Sequence, residues 1–187
     1  MQTEVMFAGF GGQGIMLIGQ MLAYAGMAEG KNVLWFPSYG PEMRGGTAYC
    51  TVVVSDTAIG SPIVDRPRTI AVLNRPSLDK FHTKVRAGGL LVINTSLIDA
   101  TTDRTDVSVL RVPANQIALE CGTGKAANMA VLGAYVGRTK AVKLESVQDL
   151  VRYQFKTKPQ FIDVNLNVLQ RGWELGIEVA PEAEVKP

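Results

Sequence analysis

The chain has 187 residues, 19 basic and 17 acidic, for a net charge of +2, and 47% of it is hydrophobic. That length fits one domain with its own core, and without a basic cluster interleaved with aromatics it argues against a nucleic-acid partner. Two cysteines, Cys50 and Cys121, and one histidine, His82, are too few for a closed zinc site of Cys and His ligands or for a four-thiolate cluster.

Such sparse cysteine use fits a reducing cytosol. Charged residues make up only 19%, against about 25% in an average soluble domain. The deficit reads equally well as a large buried interface or as an ordinary apolar core. Residues 5–28 carry no formal charge, a run long enough to cross a bilayer. Six glycines and two glutamines interrupt it, and the four residues before it lack the basic region of a signal peptide. The expectation is therefore a buried strand, a tight turn and a buried helix, with no membrane span.

In chain order, residues 4–8 read as a short interior strand, followed by a glycine turn and a helix over about 15–29. Ile15, Gly19, Leu22 and Gly26 share one face of that helix, the small residues allowing close approach, and Gly30 ends it. "NVLWF", residues 32–36, is the second strand. A β-turn-α-β start favours a right-handed crossover and a parallel sheet. "TAYCTVVVS", residues 47–55, and "AIGSPIV", residues 58–64, read as a hairpin, which makes the sheet mixed. Strands follow at 69–74, 89–94 and 107–113, with a helix at 76–86 between the first two. Helical segments follow at 114–120, 125–137, 144–155 and 159–175, and the tail "VAPEAEVKP" reads as loose. The fold expected is a single α/β, Rossmann-like three-layer domain over 1–187, with a mixed, mostly parallel sheet. Its core spans about 4–137 and its C-terminal helical segment about 144–176.

Two loops carry the chemistry. "FAGFGGQGIML" places Gly9, Gly11, Gly12 and Gly14 within six residues, and Gly9, Gly11 and Gly14 fit the G-x-G-x-x-G spacing. Glycines let a backbone approach a ligand or another chain without Cβ atoms in the way, and the free N–H groups of the following helix favour an anion. A dinucleotide site also needs a carboxylate about 20 residues on, at the end of the second strand. Neither Phe36 nor Pro37 supplies one, and Glu42 comes late, inside a glycine-rich loop. "SYGPEMRGGT", from Ser38 through Tyr39, Glu42, Arg44, Gly45 and Gly46 to Thr47, leaves the same sheet edge. It reads as a binding or docking wall, or as a plain loop with a Glu42–Arg44 surface pair.

Other candidates are weaker. "GTGK", residues 122–125, has Leu119 where a phosphate-binding loop needs glycine and Ala126 where it needs Ser or Thr, so it reads as the start of a helix. His82 reads as a solvated or core histidine, Cys50 as a packed strand residue, and Asn128 as a cap or buried hydrogen-bonding group. The sequence shows no nucleophile–base pair, no carboxylate pair in a recognisable setting and no metal-ligand spacing.

Taken together, "AGFGGQGIMLIGQMLA", "SYGPEMRGGTAYCTVVVSD" and "IGSPIV" resemble the gamma subunit of 2-oxoacid:ferredoxin oxidoreductases. "VLNRPSLDKF", "GGLLVIN", "VPANQIALECG" and "NMAVLGA" continue the resemblance, which covers about 5–137 and, more loosely, the helices beyond. The resemblance implies a cytoplasmic complex that oxidatively decarboxylates a 2-oxoacid such as pyruvate, 2-oxoglutarate or a branched-chain oxoacid. The acyl group passes to coenzyme A and two electrons to ferredoxin. Thiamine diphosphate with magnesium belongs to alpha and beta subunits, and iron–sulfur clusters to beta, a ferredoxin-like delta subunit, or both. This chain has no Gly-Asp-Gly stretch and no cysteine cluster, in keeping with a non-catalytic subunit that binds no cofactor alone.

The resemblance also implies a shared coenzyme A site. Gly9, Gly11, Gly12, Gln13 and Gly14 would form a backbone cradle beside coenzyme A or at a subunit seam. The loop of Ser38, Tyr39, Glu42, Arg44, Gly45 and Gly46 would form the opposite wall, with Arg44 meeting a phosphate or a partner carboxylate. Two alternatives remain at this point. One is the equivalent subunit of indolepyruvate:ferredoxin oxidoreductase, against which "SYGPEMRGG" argues, because that relative more often carries histidine and glutamine in this loop. The other is a free-standing nucleotide-binding module.

Overall fold

The computed structural model describes residues 1–38, 47–61 and 63–178. Tyr39, Glu42, Arg44, Gly45 and Gly46 of the second loop, and the tail from residue 179, lie outside the described residues. The elements are β1 (Gln2–Phe10), α1 (Ile15–Ala28), β2 (Asn32–Ser38), β3 (Thr47–Ser55), β4 (Thr69–Val72), α2 (Arg75–Phe81), β5 (Leu90–Asn94), β6 (Ser108–Val112), α3 (Ala114–Glu120), α4 (Ala127–Thr139), α5 (Leu144–Gln154) and α6 (Ile162–Glu178).

The strands form one sheet in the order β2-β3-β1-β4-β5-β6. β1, β4, β5 and β6 run parallel, and β3 runs antiparallel to both β1 and β2. The mixed, mostly parallel sheet is as the sequence predicts, but two of its pairings differ. β2 does not lie beside β1, because β3 is inserted between them. The reason is chemical: from Cys50 to Ser55 every residue of β3 is buried, on both faces, which calls for an interior position, whereas Pro37 in β2 has no N–H to give a second neighbour and belongs at an edge. The predicted hairpin partner at 58–64 forms no strand among the described residues, and Ile63 there is exposed. A glycine and a proline in that stretch weaken any ladder.

One face of the sheet is covered by α1, α4 and α6 with α3 and α5, which share the larger core with Phe7, Val52 and Val92. Among the described residues, the other carries α2, the short 3-10 helix His82–Lys84 that continues it, and irregular segments over Met6, Ile70, Leu91 and Ile93. α1 lies close against the sheet, as its small face predicts: a Cβ at Gly26 would meet Val33 Cγ2 at 2.8 Å. α6 is not an appendage, since Val168 and Leu169 are fully buried in the larger core. α2 is shorter than predicted. Asn74 caps its start, accepting from Ser77 N–H at 2.9 Å, and Arg104 closes its end by donating to the carbonyls of His82 and Val85 at 3.2 and 2.6 Å.

Register places the functional edge. Ala8 pairs with Tyr49 on one side and Val72 on the other, Ser38 pairs with the same Tyr49, and Asn94 pairs with Val112. The carboxyl ends of all five co-directional strands therefore open onto one edge, where ligands of α/β sheets bind.

Candidate functional site

The glycine turn joins β1 to α1 at this edge. Gly12 and Gly14 adopt φ of 95° and 74°, a left-handed backbone that favours glycine. The turn is closed by the Gln13 N–H donating to the Phe10 carbonyl at 3.1 Å. The Gln13 side chain folds back: its oxygen accepts from Phe10 N–H at 2.7 Å and from Asn74 Nδ2 at 3.1 Å, and its Nε2 donates to the Leu73 carbonyl at 3.3 Å. Gln13 thus ties the turn to the end of β4.

Beside the turn lies a cavity of about 480 Å³, its wall formed in part by Gly12, Gly14, Asn94, Asn115, Lys125 and Asn128. α1 and α4 both start here. Neither has a side-chain cap or an acidic residue in its first turn. Each presents backbone N–H groups without intrahelical partners, so two positive helix ends and the Lys125 ammonium favour an anion at this wall. The two starts are joined by Asn128, whose Nδ2 donates to the Gly14 carbonyl at 3.3 Å. That matches the buried hydrogen-bonding role read for Asn128.

Of the residues singled out in sequence, Gly12, Gln13 and Gly14 line the cavity. Gly9 sits behind the turn, where a Cβ would meet Gln13 Oε1 at 2.7 Å and Ile15 Cδ1 at 2.8 Å. Gly11 is exposed, and neither it nor Ser38, which ends β2 beyond β3, reaches the cavity wall. "GTGK" does lead into α4, as read, and Lys125 also faces the cavity.

Asn94 and Asn115 escaped the sequence reading. Asn94 is 1% exposed. Its Oδ1 accepts from Ala114 N–H at 3.2 Å and Ser96 N–H at 3.3 Å, and its Nδ2 donates to Asn115 Oδ1 at 2.9 Å and to the Leu73 carbonyl at 3.4 Å. An asparagine ending a strand looks in sequence like a turn former, which hides this role.

Elsewhere, Cys50 is fully buried and desolvation pushes its thiol up to about 12. The His82 ring hydrogen-bonds Thr102 Oγ1 at 3.1 Å. Among the described residues there is no group of three or more His, Cys, Asp or Glu able to hold a metal ion, and no helix long and apolar enough to cross a membrane.

Residues 4–175 match the family described as pyruvate ferredoxin/flavodoxin oxidoreductase. The chain belongs to this family. It is 42% identical to the ketoisovalerate oxidoreductase subunit VorA of Methanothermobacter marburgensis, over 91% of this chain and 36% of that protein, so it spans little more than a third of that relative's length. It is 32% identical to the 2-oxoglutarate synthase subunit KorC of Methanocaldococcus jannaschii, over 96% of each chain. Among solved structures, it resembles the gamma subunit of a keto/oxoacid ferredoxin oxidoreductase from Geobacter sulfurreducens, with a TM-score of 0.82 and 27% identity over 95% of this chain and 99% of that one. The relatives of this oxidoreductase family are thus subunits, and the fold is that of a gamma subunit.

Proposed function

We propose that this chain is the gamma subunit of a cytoplasmic 2-oxoacid:ferredoxin oxidoreductase, and that it completes the coenzyme A site. The complex converts a 2-oxoacid, coenzyme A and oxidised ferredoxin into an acyl-CoA, CO2 and reduced ferredoxin. The observation that carries the reading is the cavity at the carboxyl edge, where two uncapped helix starts and Lys125 converge in a domain shared with VorA and KorC. Coenzyme A carries a diphosphate and a further phosphate, the chemistry such a wall holds. Alpha, beta and delta partners hold thiamine diphosphate, magnesium and the iron–sulfur clusters, which supply decarboxylation and electron transfer. This chain binds and orients: free N–H groups at the starts of α1 and α4 meet phosphate oxygens, and Lys125 neutralises their charge. VorA and KorC are named for different oxoacids, which supports placing the choice of oxoacid in the partners.

The test is to tag this chain in its native cell, recover its assembly, and assay oxoacid-driven viologen reduction. The expected result is coenzyme A-dependent turnover by an assembly containing thiamine diphosphate and clusters, and none by the chain alone. Recovery of the chain alone, with no such activity in the eluate, would refute the reading.

A further inference from the structure

The orientation of one amide in the cavity wall is dictated by a chain of hydrogen bonds that begins at the backbone. Asn94 Oδ1 accepts from two main-chain donors, Ala114 N–H and Ser96 N–H. Those donors cannot reverse, so the Asn94 amide has one orientation and its Nδ2 points at Asn115 as a donor. Asn115 must answer with its oxygen, and does so at 2.9 Å. Its own Nδ2 is then left without a protein partner among the described residues, on a half-buried side chain that lines the cavity.

We infer that Asn115 donates a hydrogen bond from Nδ2 to an oxygen of the bound coenzyme A, and that Asn94 is a positioning residue that keeps this donor turned outward. The inference rests on the coenzyme A reading above and names a binding residue it does not include. Asn115 lies in the first turn of α3 and Asn94 ends β5, so the pair exists only because β5 and β6 lie side by side. Asn94 also ties this wall to the glycine turn, since the Leu73 carbonyl accepts from both Asn94 Nδ2 and Gln13 Nε2. Asn94 is also in the wall, but its amide donates and accepts only within the protein, so it acts on the ligand through Asn115.

The test uses the assembled complex and reads kcat, the KM for coenzyme A and the KM for the oxoacid. Asn115→Ala is expected to raise the coenzyme A KM about 5- to 30-fold, the usual range for one lost hydrogen bond in a partly desolvated site. kcat at saturating coenzyme A and the oxoacid KM should stay within about twofold, because uniform binding is what is lost. Asn94→Asp keeps an acceptor for Ala114 and Ser96 but faces Asn115 with an oxygen, which turns the Asn115 amide around. It should raise the same KM to a similar degree. Combined with Asn115→Ala it should add nothing, because its effect passes through Asn115. Should Asn94→Asp fail to assemble, Asn115→Asp leaves Asn94 its acceptor, removes the donor, and should raise the KM at least as much as Asn115→Ala. Lys125→Ala separates the two levels. If it raises the coenzyme A KM while both Asn115 variants leave it unchanged, this inference is wrong and the coenzyme A reading stands. If all three leave it unchanged, both fall. Additive effects in the double variant would remove the positioning role of Asn94.

Discussion

Gln13 and Asn74 meet side chain to side chain at 3.1 Å, across the junction between the glycine turn and the start of α2. The same Gln13 oxygen holds Phe10 N–H at 2.7 Å, so one carbonyl both closes the turn onto Phe10 and ties it to the cap of α2. Gln13→Ala should therefore cost about 1–2 kcal/mol, less than three lost bonds imply. Phe10 is exposed to water, and the Leu73 carbonyl keeps its bond from Asn94. The sharper readout is amide exchange, which should accelerate at residues 10–14 and stay unchanged in β4 and β5. Uniform acceleration across the sheet would mean that Gln13 supports the whole fold rather than the turn.

What the sequence reveals here divides along range. α1 is legible because both of its ends are local. Gly14 opens it with positive φ, and Gly30, at φ 73°, closes it while Lys31 N–H donates back to the Gly26 carbonyl at 3.0 Å. α3 is legible from its apolar spacing alone. The order of the sheet is not, because the place of β3 depends on burying both of its faces, a property of its neighbours. Pro37 was the one local sign that β2 sits at an edge. The site follows the same division. The glycine turn announces itself through residues that only a turn requires, but Asn94 and Asn115 are separated by 20 intervening residues and mean nothing until β5 and β6 pair.

The crossing of α4 and α6 gives the second prediction. A Cβ at Gly133 would press on the Leu169 carbonyl and lie 2.9 Å from Trp173 N, and one at Gly172 would press on the Ala130 carbonyl and lie 2.8 Å from Ala130 Cα. Backbone cannot rotate away as a side chain can. Gly→Ala in a helix ordinarily gains up to about 1 kcal/mol. Here overpacking works against that gain, and a forced separation of the helices costs about 1–3 kcal/mol or more. Gly133→Ala and Gly172→Ala should each lower the denaturation midpoint. Gly124→Ala, which meets only Leu119 Cδ2 at 3.8 Å, should barely move it. Stabilisation by either helix variant would contradict the tight crossing.

Alkaline pH should loosen the fold through two buried acids. Burial pushes the Cys50 thiol from an ordinary 9.0 to about 12, and the Tyr135 hydroxyl from 10.0 to about 12. The folded chain therefore keeps two protons that the unfolded chain releases first, so stability falls as pH rises from about 9 toward 12. The urea midpoint, followed between pH 8.5 and 11, should decline less steeply in Tyr135→Phe combined with Cys50→Ala than in wild type. The substitutions lower the starting stability as well, so the slope is the quantity to compare. Equal slopes would show that other groups govern alkaline unfolding.

The place of β3 also decides the question of NAD. In a dinucleotide fold the carboxylate that holds the ribose ends the strand next to the glycine-turn strand. Here that neighbour is β3, antiparallel, which begins rather than ends at this edge. The end of β2 is displaced by two strand spacings, about 10 Å, and Phe36, Pro37 and Ser38 offer no carboxylate there. Residue chemistry and topology thus fail together, although the glycine spacing alone resembles the dinucleotide fingerprint. NAD and NADP should bind to the isolated chain more weakly than about 1 mM, no stronger than about −4 kcal/mol. Ser38→Asp should not improve this, because the new carboxylate would stand one strand too far from the turn. A micromolar constant by calorimetry for the wild-type chain would revive the nucleotide-module alternative. A gain of tenfold or more in Ser38→Asp would show that the end of β2 reaches a ligand seated on the glycine turn.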